Sequence, residues 1–258
     1  METLKSYNPA TGEILGEVEI TPAVEVPNIV ARAKAAQPAW GDLGLEGRAE
    51  LIKATAEIFV DRVHEHGELM TKEMGKPLKE AIGEAKSLGW GIEEELTEII
   101  EALKPEVVED GRLRSTVYHD PLGVVGAITP WYFPISMPAW MILHSLSAGN
   151  TVLFKPSEET PLCGQAYADV LNEVLPNDVL IVVHGADDQG KAIVQSDVDM
   201  IAFTGSREAG KHIMREASGT LKRVVLELGG KDPMICLLYT SDAADDTPCV
   251  DLGGRRII

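Results

Sequence analysis

An α/β fold built on a parallel sheet is what this sequence predicts, and three observations predict it. Short, continuous apolar runs recur through the second half: LGVVGAI (122–128), TVLF (151–154), VLIVV (179–183), MIAF (200–203) and VVLEL (224–228). Stretches with helical spacing separate them, near 135–147, 162–174, 187–195 and 208–218. Strands without polar alternation are buried on both faces, so helices must cover each side of the sheet. The Gly- and Pro-containing segments fall between strand ends and helix starts, where ligands bind on such sheets.

The N-terminal part is helical. Ile29, Val30, Ala33, Ala36 and Trp40 recur at helical spacing between Pro27 and Trp40, with Pro27 tolerated in the first turn. Leu51, Ile52, Thr55, Ile58, Phe59 and Val63 mark a second amphipathic helix, and a third, acidic one covers Leu78 to Leu103. Its run IEEELTEIIEAL reads as a solvated face. EVVEDGRLRSTVYHD alternates as a hairpin does, with Asp110-Gly111 as its turn.

The 258 residues suffice for one large or two modest domains. A formal charge of −18 argues against nucleic acid and against an anionic membrane surface as partners. No apolar run reaches the roughly 18–20 residues of a membrane span. The start, METLKSYNPATGEIL, lacks the pattern of a signal peptide. Three cysteines without paired spacing make no disulfide framework, so a reducing cytoplasm is the expected location. No metal site is expected.

Four loops could carry chemistry. In IAFTGSREAGKHI (201–213) a buried strand turns at Gly205-Ser206 into a helix start, whose free N–H groups suit a phosphate. The plainer reading is a turn in which Gly205 supplies a positive φ. GSREAGK also approaches the nucleotide-triphosphatase loop, but His212 stands where that loop needs a Mg²⁺-binding hydroxyl. In LFKPSEETP (153–161), Lys155 and Glu158 could hold the hydroxyls of a ribose; an exposed lysine and a helix-start glutamate explain them equally well. ITPWYFPISMPAW (128–140) is either a rigid packed turn or the wall of a ligand pocket. VVLELGG places a carboxylate, Glu227, at the end of a buried strand, as a general base would be.

Taken together, YNPATGE, PLGVVGAITPWYFP, GNTVLFKPSEETP, VDMIAFTGSREAGKHI and LKRVVLELGGKDP, in this order from Ser6 to Ile235, resemble the aldehyde dehydrogenase superfamily. The flavour is similar to the succinate-semialdehyde or general aliphatic type. The resemblance implies a Rossmann-like cofactor domain spanning residues 1–236, N-terminal helices included, with a hairpin near 105–120 that joins subunits into a dimer or tetramer. It implies oxidation of an aldehyde to a carboxylic acid with NAD, NADP being possible. In that chemistry a cysteine thiolate attacks the aldehyde, hydride passes to the nicotinamide, and a glutamate activates water to hydrolyse the thioester.

Carried over residue by residue, the resemblance makes Glu227 the general base. Lys155, Ser157 and Glu158 fall at the adenosine ribose, where a carboxylate favours NAD over NADP. Gly205, Ser206 and Gly210 pass under the pyrophosphate. Ile128, Thr129, Pro130 and Trp131 line the adenine and nicotinamide side, and Leu228 and Gly229 border the nicotinamide. One position departs from the family: Tyr132 replaces the asparagine of PWNFP, whose amide donates to the oxyanion. Losing such a donor costs about 10²–10³ in rate.

The family's nucleophile lies in a G-Q-x-C context some way after the glutamate, and no G-Q-x-C occurs in these 258 residues. Cys163, at a helix start, reads as a small buried residue; Cys236 and Cys249 are unsuited by their surroundings. Residues 237–258 carry neither a helix nor a strand pattern and do not resemble the family. They read as a disordered or artefactual tail following a truncated cofactor domain. The expectation is a chain that turns over nothing alone. The alternatives are a fragment that holds NAD without turnover and a P-loop-like nucleotide hydrolase.

Overall fold

The computed structural model describes residues 2–231. The expected boundary at residue 236, the tail to residue 258, Cys236 and Cys249 lie outside them. The chain divides into two units, 1–227 and 228–258, and almost everything described belongs to the first.

Two short strands open the chain, β1 (Thr3–Tyr7) and β2 (Ile14–Glu19), paired antiparallel. After a 3-10 turn come four helices: α1 (Val26–Gly41), α2 (Gly44–Asp61), α3 (Val63–Met74) and α4 (Leu78–Leu103). The expected second helix therefore ends at Asp61, and Val63 belongs to α3 instead. The hairpin follows as β3 (Glu106–Glu109) and β4 (Arg114–Val117), every residue exposed. Asp110 Oδ1 accepts from the Arg112 and Leu113 amides and closes the turn, with Gly111 at φ 81°.

The expected alternation comes next: β5 (Val124–Ile128), α5 (Ser136–Ser147), β6 (Thr151–Lys155), α6 (Pro161–Asn172), β7 (Leu180–Val182), α7 (Asp187–Gln195), β8 (Met200–Gly205), α8 (Arg207–Ser218) and β9 (Arg223–Leu228). The sheet order is β7-β6-β5-β8-β9, with β5 parallel to both β6 and β8. The chain steps outward from β5 one way and then crosses back to β8, which opens a crevice at the carboxyl ends of β5 and β8.

Both faces are covered, as the apolar runs require. Val125, Ala127, Val152, Phe154 and Ala202 face the larger core, built with α2 to α6. Val124, Leu153, Ile201 and Phe203 face a smaller one, built with α1, α7 and α8. Residues alternate between the two because successive side chains on a strand point to opposite faces. The acidic helix α4 is split likewise: Ile92, Leu96 and Ile99 are buried while Glu93 and Glu94 face water.

β9 corrects an expectation. It reads as a buried strand, yet only Val224 and Leu226 pack inward; Val225 and Glu227 are exposed. β9 is the last strand of the sheet, and among the described residues one of its faces is left uncovered.

Three buried side chains tie the helices to one another and to β1. Arg48 donates from Nε to Ser147 O (3.0 Å) and from Nη1 to Gly41 O (2.8 Å), closing the ends of α5 and α1. Burial lowers its pKa, partly offset by Glu46. Trp40, 1% exposed, donates its indole N–H to Leu146 O at 3.0 Å. Glu73 on α3 accepts from Ser6 Oγ (2.7 Å) and from the Leu162 and Cys163 amides (2.8 and 2.7 Å), so it joins β1 to the start of α6.

Candidate functional site

A cleft of about 360 Å³ lies where β5, β6 and β8 end, between α7 and α8. Ile128, Val194, Phe203 and Ile213 give it apolar walls, and Lys155 with Glu158 gives it a charged side. This combination suits a flat apolar ring carrying hydroxyls. Of the residues singled out from the sequence, the structure brings Ile128, Lys155 and Glu158 together here.

Lys155 ends β6 and is 5% exposed, which removes the reading of it as a surface lysine. Its Nζ donates to Pro156 O (3.1 Å) and to Glu158 Oε2 (3.3 Å). An ammonium has three protons, so these two partners leave one for a ligand. Burial pulls the Lys155 pKa below the ordinary lysine value, and Glu158 acts against that shift. The end of β5 is tied to the same strand, since the Thr129 amide donates to Lys155 O at 3.1 Å. Ser157 is buried and its Oγ accepts from the Glu159 amide at 3.2 Å.

The β8–α8 turn stands beside the cleft. Gly205 is the last residue of β8, and its φ lies outside the positive range, so the left-handed-turn reading is wrong. What requires glycine there is space: a Cβ would sit 2.5 Å from the Phe203 ring. Ser206 is the N-cap of α8, its Oγ accepting from the Ala209 amide at 3.2 Å. Gly210 is buried in the first turns of α8. Thr204 Oγ1, on the same strand end, is buried without a partner among the described residues. Lys211 is exposed and pairs with Glu208 at 3.5 Å.

Among the cleft residues that the sequence did not assign to the site are Asp187 and Lys191 on α7, and Ala209 and His212 on α8. The signal for the first pair was the segment HGADDQG after β7, where Gly185 adopts φ 145° and Gln189 folds back onto the Ala186 amide at 3.0 Å. His184 on that loop is buried, with Nε2 2.7 Å from Gln165 Oε1 and Nδ1 without a partner among the described residues. Burial, reinforced by the Lys155 charge, lowers its pKa to about 4.

The aromatic loop stands apart from the cleft lining. Pro130 is half-buried, and Trp131, Tyr132 and Phe133 are 47%, 40% and 45% exposed. Tyr132 sets its ring edge-on to both neighbours, at 6.1 and 6.0 Å between centroids. Glu227 is exposed on β9; Leu228 ends that strand and Gly229 follows it. Cys163, by contrast, is buried in α6, and burial, with Glu73 beside it, pushes its thiol well above the ordinary value. A thiol held in that state is a poor nucleophile.

A doubly wound sheet with a cleft at its switch point is the architecture on which nucleotide-binding α/β proteins hold their ligand. Comparison with known proteins narrows this. The sequence model described as "Aldehyde dehydrogenase family" matches residues 1–246, past the position where the family resemblance was expected to stop. This chain belongs to the aldehyde dehydrogenase family. It is 39% identical over 240 residues to a succinate-semialdehyde dehydrogenase of Arabidopsis thaliana, covering 91% of this chain and 45% of that protein. A malonate-semialdehyde dehydrogenase of Lacticaseibacillus casei is 35% identical over 239 residues (90% and 48%). Among solved structures, an aldehyde dehydrogenase of Bacillus cereus in its NAD⁺ complex superimposes with a TM-score of 0.86 at 32% identity, covering 92% of this chain and 50% of that one. The chain thus spans about half the length of the relatives it matches. The phosphoryl-transfer alternative finds no support in these relatives.

Proposed function

We propose that this chain is the dinucleotide-holding portion of an enzyme that oxidises aldehydes, of the semialdehyde type, to carboxylic acids. The observation that carries the reading is the cleft at the ends of β5, β6 and β8, with buried Lys155 beside half-exposed Glu158. Lys155 and Glu158 hold the two ribose hydroxyls, one donating and the other accepting. The apolar walls receive the adenine. The Glu158 carboxylate repels a 2′-phosphate, which favours NAD⁺ over NADP⁺. The β8–α8 turn, with Gly205, Ser206 and Gly210, runs under the pyrophosphate and offers the helix N-terminus to its charge.

When bound, the dinucleotide supplies the hydride acceptor. Ile128, Thr129, Pro130 and Trp131 border it, and the family motif assigns Leu228 and Gly229 to its nicotinamide. Glu227 takes the proton from the water that releases the acid. Tyr132, at the position of the family's oxyanion donor, offers a phenol O–H in place of an amide. No cysteine of this chain is assigned as nucleophile. The full activity belongs to a protein that has one, and such a protein is a dimer or tetramer joined through the β3–β4 hairpin.

Thermal unfolding with and without millimolar NAD⁺ tests the reading. The melting temperature of the chain rises with NAD⁺, because a ligand held by the native state stabilises it by mass action. Lys155→Met weakens binding about 10- to 100-fold, the worth of a hydrogen bond from a charged donor. The chain incubated with NAD⁺ and an aldehyde panel forms no NADH. A flat melting temperature, or a Lys155→Met variant that binds as well as the parent, contradicts the assignment of the cleft.

A further inference from the structure

A buried ion pair outside the cleft holds the aromatic loop. Lys76, between α3 and α4, pairs with Glu84 of α4, their side chains 10% and 3% exposed. Lys76 Nζ also donates to Tyr132 O at 3.1 Å and lies 3.9 Å from the centroid of the Phe133 ring. Glu84 Oε1 accepts from the Ile135 and Ser136 amides, at 3.2 and 3.0 Å. Those amides are at the start of α5, which has no side-chain cap of its own. Two residues distant in sequence thus grip the loop at three backbone points.

Stability alone is a weak reason for such a pair, because desolvating two charges offsets much of their attraction. Geometry is a better one. Trp131, Tyr132 and Phe133 are all half-exposed, so side-chain packing fixes them poorly. The Tyr132–Phe133 peptide is held through the Tyr132 carbonyl by Lys76.

We propose that Lys76 and Glu84 are positioning residues, fixing the backbone from Tyr132 to Ser136 so that the aromatic loop keeps one shape. Its consequence for ligand binding rests on the dinucleotide reading above, in which this loop borders the nicotinamide side.

The test compares the parent chain with Lys76→Met/Glu84→Leu, which removes both charges and leaves no lone buried ion, and with Lys76→Arg, which keeps the cation. Residue-resolved amide hydrogen exchange is followed at Ile135 and Ser136 and, as an internal reference, in β6 and β8. In the double variant the two loop amides exchange at least about tenfold faster while the sheet amides keep their rates, as local opening requires. Lys76→Arg stays near the parent. By calorimetry, NAD⁺ dissociation constants rise about 3- to 10-fold in the double variant and return toward the parent value in Lys76→Arg. Unchanged Ile135 and Ser136 rates, or an equal acceleration throughout the sheet, overturn the proposal. So does a Lys76→Arg chain that behaves as the double variant. If the parent binds no NAD⁺, the dinucleotide reading fails, while the exchange comparison still decides whether the clamp exists. If the parent binds NAD⁺ and the double variant binds equally well, the loop is clamped without consequence for the ligand, and the positioning role is overturned.

Discussion

Glu73→Ala should lower the unfolding free energy by about 3–5 kcal/mol. The Glu73 side chain satisfies three donors from two other parts of the chain: Ser6 Oγ, the Leu162 amide and the Cys163 amide, at 2.7–2.8 Å. The residue is 3% exposed, so water replaces none of these bonds without opening the structure. Truncation leaves two α6 amides unpaired near its N-terminus and removes a negative charge from the positive end of the helix dipole. Glu73→Gln keeps an acceptor of the same shape and should lose about half as much. Urea unfolding of the three chains measures the differences, and a Glu73→Ala midpoint equal to the parent's would show that α6 needs no such anchor.

The second large effect is a loss of stability in mild acid that His184 causes. Its pKa falls from 6.5 to about 4 in the folded chain, first through burial and then through the Lys155 charge. The unfolded chain protonates His184 as the pH drops below 6.5, and the folded chain does so only near pH 4. Between these values the unfolded state holds more protons, so stability declines as pH falls and is regained as pH rises through the same window. The full difference is about 3 kcal/mol, at about 1.4 kcal/mol per pH unit. The cause is visible in the geometry. Nε2 meets Gln165 Oε1 at 2.7 Å, which the neutral ring satisfies by donating, and among the described residues Nδ1 has no acceptor for a second N–H. His184→Gln retains a donor toward Gln165 and cannot ionise. Its unfolding free energy should therefore change less between pH 7 and pH 5 than the parent's. His66, whose pKa burial also lowers, supplies part of the remaining slope. Parallel pH profiles for parent and variant would assign the effect elsewhere.

How much of this was legible beforehand depends on whether the cause was local. The strands of the parallel sheet were legible because burial on two faces leaves unbroken apolar runs. Helix α4 was legible to its last residue because Ile92, Leu96 and Ile99 recur on one side and prolines stand at both ends. Helix α3 was missed for the opposite reason. Its inward face carries His66, Gly67 and Glu73 beside Val63 and Met70, so no apolar stripe marks it. The β1–β2 pair was missed because its strands lie near the surface and mix charged with apolar residues.

In the cleft, Lys155 and Glu158 could be found because they share one loop. Asp187, Lys191 and His212 reach it from helices that only the fold brings near. The exposure of Glu227 was misjudged because an apolar run looks alike in a central strand and in an end strand; only the sheet order separates them. The grip of Lys76 on Tyr132 joins positions 56 residues apart, and no spacing rule announces it.

The four tryptophans give the chain an optical asymmetry. Trp90, Trp131 and Trp140 are 68%, 47% and 59% exposed, so their indoles already meet water in the folded chain, whereas Trp40 is sealed and donates to Leu146 O. A red shift on denaturation therefore comes almost wholly from one chromophore, the one that docks α1 onto α5. Trp40→Phe should flatten that shift while leaving the quantum yield of the other three, and their quenching by iodide, nearly as before. The emission wavelength of the parent then reports when the N-terminal helix lets go, independently of what the sheet is doing.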